Sequence, residues 1–163
     1  MFQSVRLTKT YEMRVPASPE QLFPLLCPVR EREWLPYWDC RMIYSTSGTA
    51  EADCVFTTDF PGRGNMTWVV TRYEPPERIQ YTVFKPESHT WTLSIRLVPA
   101  IPNESGLTWQ HVFTGLTEAG NLYLRDYTDE LHRLNLQNIE RRLTHFVKTG
   151  KMLAEEGLAR KTE

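Results

Sequence analysis

No stretch of this sequence approaches the roughly 18 consecutive apolar residues of a membrane span, and Met1 to Tyr11 holds no apolar run of a secretory signal. Neither charge sign predominates. Lys and Arg number 19 against 20 Asp and Glu, so the chain lacks the basic footprint that nucleic acid or acidic lipid requires. Cysteine is scarce. Cys27, Cys40 and Cys54 are odd in number and match no zinc spacing, which reads as reduced thiols in a cytoplasmic protein. There is no His-Glu-x-x-His pattern, and no Gly-rich loop to cradle a phosphate, so neither a metal nor another cofactor is expected. No helical segment separates the strand signals, which excludes the parallel crossovers of a dinucleotide-binding fold. Repeats, low-complexity tracts and linkers are also missing, and one domain over residues 1–163 is expected.

What is present is aromatic: five Trp, seven Tyr and seven Phe. Large rings fill a core or line a pocket for an apolar ligand. Residues 3–15 read as a first strand, with Val5, Leu7, Tyr11, Met13 and Val15 alternating with polar residues and Lys9 breaking the apolar face. Ser18-Pro19-Glu20-Gln21 reads as a capped helix start. Pro24 kinks or shortens that helix, Pro28 ends it, and a second short turn covers Val29 to Trp34. Strand signals follow at 40–47, 52–60, 65–74, 78–85, 89–98 and 106–115, separated by short Pro- and Gly-bearing breaks that favour an antiparallel meander. Trp91, Leu93, Ile95 and Leu97 share one face of their strand, as do Leu107, Trp109, His111 and Phe113 of the next.

The last segment, about 117–155, reads as one amphipathic helix of about 35 residues and about 50 Å. Leu124, Leu131, Asn135, Ile139, Leu143, Phe146, Gly150 and Leu153 form its stripe, with its end fraying beyond Gly157. Asn135 is the polar member of the stripe and Arg142 lies close to it. Both are candidates to hold the polar end of a ligand, against the alternatives of a backbone bond for Asn135 and a solvent-reaching guanidinium for Arg142.

Trp68, Tyr81, Trp91, Trp109 and Phe113 are candidate cavity walls, or a packed core, with Ile139 facing them from the helix. His111 is the histidine on an inward strand face, a candidate acid or base or a hydrogen-bonded core residue. Tyr81 and Asp59 are further catalytic candidates. Asp39 and Tyr44 read more simply as strand-end residues. Glu33 to Asp39, with three aromatics around Pro36, forms a plug or a mouth at one end of the sheet.

The run Val15-Pro16-Ala17-Ser18-Pro19-Glu20-Gln21-Leu22-Phe23, then Arg32-Glu33-Trp34-Leu35-Pro36-Tyr37-Trp38-Asp39, Gly48, the strands and the long final helix resemble the SRPBCC superfamily. This group includes START lipid-transfer domains, polyketide cyclase-like proteins and birch-pollen-allergen-like proteins. The resemblance implies an α+β helix-grip fold: a curved antiparallel sheet of six or seven strands wrapped around the C-terminal helix, with two short helices after strand 1 and an apolar cavity between. It also implies binding of a small hydrophobic molecule, for transport or sensing. The alternatives are a cyclase or dehydratase acting on an aromatic or apolar substrate, and an interaction module, similar to chaperone-ATPase activators, that uses the Trp34–Trp38 segment or the outer sheet face. The superfamily shares no single catalytic motif, so the resemblance assigns no catalytic residue.

Overall fold

A computed structural model describes residues 1–155. Seven antiparallel strands form one curved sheet in the order β1-β7-β6-β5-β4-β3-β2. They are β1 Arg6–Val15, β2 Cys40–Tyr44, β3 Val55–Phe60, β4 Gly64–Glu74, β5 Arg78–Lys85, β6 His89–Ala100 and β7 Glu104–Gly115. Only β1 leaves its sequence neighbour to pair across the sheet with β7. The helices are α1 Pro19–Leu22, α2 Pro28–Glu31, α3 Glu118–Asp126 and α4 Asp129–Thr149. This is the helix-grip architecture that the resemblance implies.

The β1–β2 connection follows its prolines. Gln21 Oε1 accepts from the Ser18 N–H at 3.0 Å and opens α1. Pro24 then tightens the chain into a 3-10 turn over Phe23–Leu26, and Pro28 sits in the first turn of α2 rather than ending a helix. Trp34 is fully buried behind α2, and its Nε1 donates to the Leu25 carbonyl at 2.9 Å. Half-buried Trp38 donates from Nε1 to the Pro28 carbonyl at 2.8 Å. Trp34 is therefore closed to any partner, whereas Trp38 keeps part of its surface.

The expected single C-terminal helix is two. Tyr127 leaves helical geometry, and the Thr128 side chain accepts from the Leu131 N–H at 3.2 Å to start α4. Asp129 and Glu130 in the first turn favour the positive end of the helix dipole. At the far end Gly150 takes the left-handed conformation (φ 67°) and donates to the Phe146 carbonyl, so Gly150 and Leu153 lie past α4 rather than on its stripe. Gly157 lies outside the described residues. Restarting the helix also resets its phase. The covered side carries His132, Leu136, Ile139, Leu143 and Phe146, while Leu131 and Asn135, one position out, are exposed. Thr128→Ala is expected to lower stability by about 1 kcal/mol, read as a lower urea midpoint at unchanged slope.

α3 is tied down at both ends of its first turn. The buried Asn121 accepts from the Val5 N–H at 2.8 Å and donates to the Gln3 carbonyl at 2.9 Å. Gly120 passes so close to Ser88 that a Cβ there would overlap the Ser88 carbonyl oxygen, which is why this helix carries glycine at an interior position.

Candidate functional site

Strand register arranges the inward side chains in rows across the sheet. One row runs Leu7, Phe113, Trp91, Val83, Trp68 and Phe56, and the next Lys9, His111, Leu93, Tyr81 and Val70. A third runs Tyr11, Trp109, Ile95 and Ile79. The expected faces of β6 and β7 are those observed. Asp59, in contrast, is exposed beside the inward Thr58 on β3, and so is removed from any interior chemistry.

The predicted cavity walls divide into two groups. On the β3–β6 side the rings pack on one another. Trp68 stacks on Phe56 at 5.5 Å between centroids and meets Tyr81 and Trp91 edge-on at 5.8 and 5.7 Å. Its Nε1 donates to Thr58 Oγ1 at 2.9 Å, and the Tyr81 hydroxyl donates to the Leu26 carbonyl at 2.7 Å. These groups are satisfied core, and burial holds the Tyr81 hydroxyl well above the usual phenol range. The β1–β7 side lies at the edge of the sheet, where α4 packs on β1. Leu7, Lys9 and Tyr11 on β1, His111 on β7 and Ile139 on α4 all keep accessible surface, whereas Trp109 and Phe113 on either side of His111 are buried.

Four buried polar features distinguish this interior. Trp109 Nε1 has no hydrogen-bond partner among the described residues, and neither has Arg142 Nε. Arg142 is buried on α4. Its Nη1 donates to the Leu153 carbonyl at 3.3 Å, and no carboxylate pairs with it among the described residues. Glu31, at the end of α2, is 8% exposed, and no hydrogen bond reaches its carboxyl among the described residues. Burial holds that carboxyl well above its ordinary range, so it is neutral where surface carboxylates have ionised.

The fourth feature is a histidine pair. His111 Nδ1 lies 3.1 Å from His132 Nε2, with the rings near perpendicular at 84°. Phe113 stacks on His111 at 5.6 Å, and Tyr127 meets His132 edge-on at 6.0 Å. Burial and the neighbouring His132 push His111 down to about 3, and burial with the Lys9 ammonium lowers His132. Both rings are therefore neutral near pH 7 and can share a single proton. Lys9 pairs with the exposed Asp129 carboxylate beside them.

Two concavities flank α4. One, of about 460 Å³, lies between edge strand β1 and the first turns of α4, lined by Thr8, Lys9, Thr10, Tyr11, Asp129, His132 and Arg133. The other, of about 330 Å³, lies at the far end of α4 against Pro16, Ala17, Gln21 and Leu25. Both volumes fall within the range of small-ligand sites.

Of the predicted site residues, the structure sets Trp109 and His111 on the inward face of β7, and Ile139 and Arg142 on the covered side of α4, about one helical turn apart. It leaves Asn135 on the exposed side of α4, where its Nδ2 donates to the Tyr127 hydroxyl at 3.3 Å. Sequence reasoning missed His132 and Glu31. His132 was recoverable, since it stands four residues before Leu136 once the helix starts at Thr128. Glu31 sits in a four-residue helix with no period to read.

A family model described as polyketide cyclase / dehydrase and lipid transport matches residues 6–144. No curated protein matches the sequence. Solved structures do. Norcoclaurine synthase from Thalictrum flavum, in complex with dopamine and hydroxybenzaldehyde, is 13% identical with a TM-score of 0.67, over 92% of this chain and 91% of that one. The Mll3558 protein from Rhizobium loti is 16% identical with a TM-score of 0.64, over 86% of this chain and 99% of that one. At such identities the likeness is one of fold. No helix among the described residues is long and apolar enough to cross a membrane.

Proposed function

The chain belongs to the polyketide cyclase / dehydrase and lipid transport family, and we propose that it binds a small, mainly apolar molecule with one hydrogen-bond-accepting end, between the inner sheet face and α4. The observation that carries this reading is the pair of unpartnered buried donors, Trp109 Nε1 and Arg142 Nε. A buried N–H without an acceptor costs about 1–3 kcal/mol, and a buried guanidinium without a counter-charge costs more. Hydrogen-bond acceptors on a ligand would relieve these costs, while the apolar inward faces of β1, β7 and α4 would cover its body. The similar norcoclaurine synthase, solved with two small aromatic molecules, supports the size class.

Titration with 8-anilinonaphthalene-1-sulfonate tests this, because the probe joins an apolar body to an acceptor-rich end. Saturable one-to-one binding with tryptophan energy transfer is expected. Trp109→Phe, which keeps most of the ring bulk and loses the donor, should weaken it by up to about tenfold. Absence of saturable binding, together with no small molecule in native mass spectra of protein purified from its own host, would overturn the reading.

A further inference from the structure

We propose that His111 and His132 form a proton-relay dyad that joins the interior under α4 to the β1–α4 groove and serves as a general acid–base site for a neutral, ring-sized carbon acid. The proposal rests on the ligand-binding reading above for access of that substrate to the interior. Three observations place the dyad. His111 is the inward residue of β7 that keeps accessible surface between buried Trp109 and Phe113. His132, itself 3% exposed, reaches His111 Nδ1 at 3.1 Å and also touches the 460 Å³ groove. Neither ring has a carboxylate within hydrogen-bond reach among the described residues, so the pair is joined only to itself.

Two neutral imidazoles in series can carry a proton without a charged side chain being buried. With the shared proton on His111 Nδ1 and donated to His132 Nε2, His111 Nε2 keeps a free lone pair. When Nε2 takes a proton from a substrate carbon, the Nδ1 proton passes to His132 Nε2, and His132 releases its own Nδ1 proton to water in the groove. The electron pair of the broken C–H bond stays on the substrate, and both rings end neutral in the opposite tautomer. Lys9 on β1 opposes protonation of the dyad, Asp129 on α4 favours it, and Tyr11 and Tyr127 wall it. Beyond Phe113, His89 stacks on Tyr123 of α3, and burial with the Lys85 ammonium pushes it down to about 4. His111 is thus the catalytic candidate and His132 a positioning residue.

The test uses the full chain and 5-nitrobenzisoxazole, a flat apolar carbon acid. Loss of its C3 proton forms the nitrile and breaks the N–O bond to give a coloured phenolate, with no co-reactant. The wild-type chain is expected to open it with saturation, and His111→Gln should lose about a hundredfold in kcat/KM. His132→Gln should retain probe binding, seen as tryptophan quenching, but lose about tenfold in kcat and move the acid limb of the pH profile. Nitrogen-15 spectra of the free protein should show His111 protonated on Nδ1. A proton on His111 Nε2, quenching without turnover, or wild-type rates in His111→Gln would each overturn the dyad. So would failure of the probe to quench, with the ligand-binding reading then judged by its own titration. If His111→Gln does not fold, a His132→Gln chain with wild-type rate and pH profile overturns it as well.

Discussion

Trp34→Ala is expected to lower the unfolding free energy by about 3–5 kcal/mol, enough to abolish cooperative melting in a domain of ordinary stability. Two losses combine. The indole has no accessible surface, so its removal opens a cavity between α2 and the end of the sheet. Its Nε1 is also the donor to the Leu25 carbonyl, which would be left buried without it. Trp34→Phe should recover most of the packing but not the bond, and fall about 1–2 kcal/mol short of wild type. Chemical denaturation of the three chains under one condition checks the order. Equal midpoints for wild type and Trp34→Ala would show that this plug does not support the fold.

Glu31→Gln is expected to stabilise the protein at pH 7 by about 1–3 kcal/mol. The buried carboxyl has a folded-state pKa raised well above its ordinary value. Above the ordinary carboxylate range the unfolded chain has released this proton and the folded chain retains it. The folded state then binds more protons, and stability falls as pH rises, by up to about 1.4 kcal/mol per unit until the folded group ionises. The amide that replaces the carboxyl in the Glu31→Gln chain does not titrate and has no such dependence. The two chains should therefore be nearly equal near pH 4 and separate progressively toward pH 7. His89 and His111 act in the opposite direction. Their depressed folded pKa values, about 4 and about 3, give stability that is complete above the unfolded value of 6.5 and lost as pH falls toward the folded ones. That acid limb is common to both chains and cancels in the comparison. A variant less stable than wild type at pH 7 would mean that the carboxyl is ionised and paired in the native protein.

Glu31 and the histidine dyad also mark where reading residues in order stops working. Strands β4 to β7 were legible because alternation is a local property: a residue's face follows from its parity, and Trp91 to Leu97 and Leu107 to Phe113 kept theirs. Leu124, Ile139, Leu143 and Phe146 lie on the covered side as expected, but the first turns of α4 were misread by one position, at Leu131 and Asn135, because a spacing of three or four residues continues smoothly across Tyr127 and Thr128. A cap ends one phase and starts another, and only Thr128-Asp129-Glu130 carried that signal. Asn135 moved to solvent and His132 inward for this one reason.

Local order along the chain was enough to define the antiparallel meander, the proline-shaped turns after β1, the inward faces of β6 and β7 and the absence of a long apolar span. Each of these depends on residues within a few positions of one another. Which polar groups share the interior was settled by folding alone. His111 meets His132 twenty-one residues away, Lys9 on the first strand meets Asp129, and Glu31 is largely buried with no hydrogen bond to its carboxyl among the described residues. Such pairings are set by sheet register, by the β1–β7 closure and by the way α4 crosses β1. Those are properties of the assembled chain, and no window of sequence contains them.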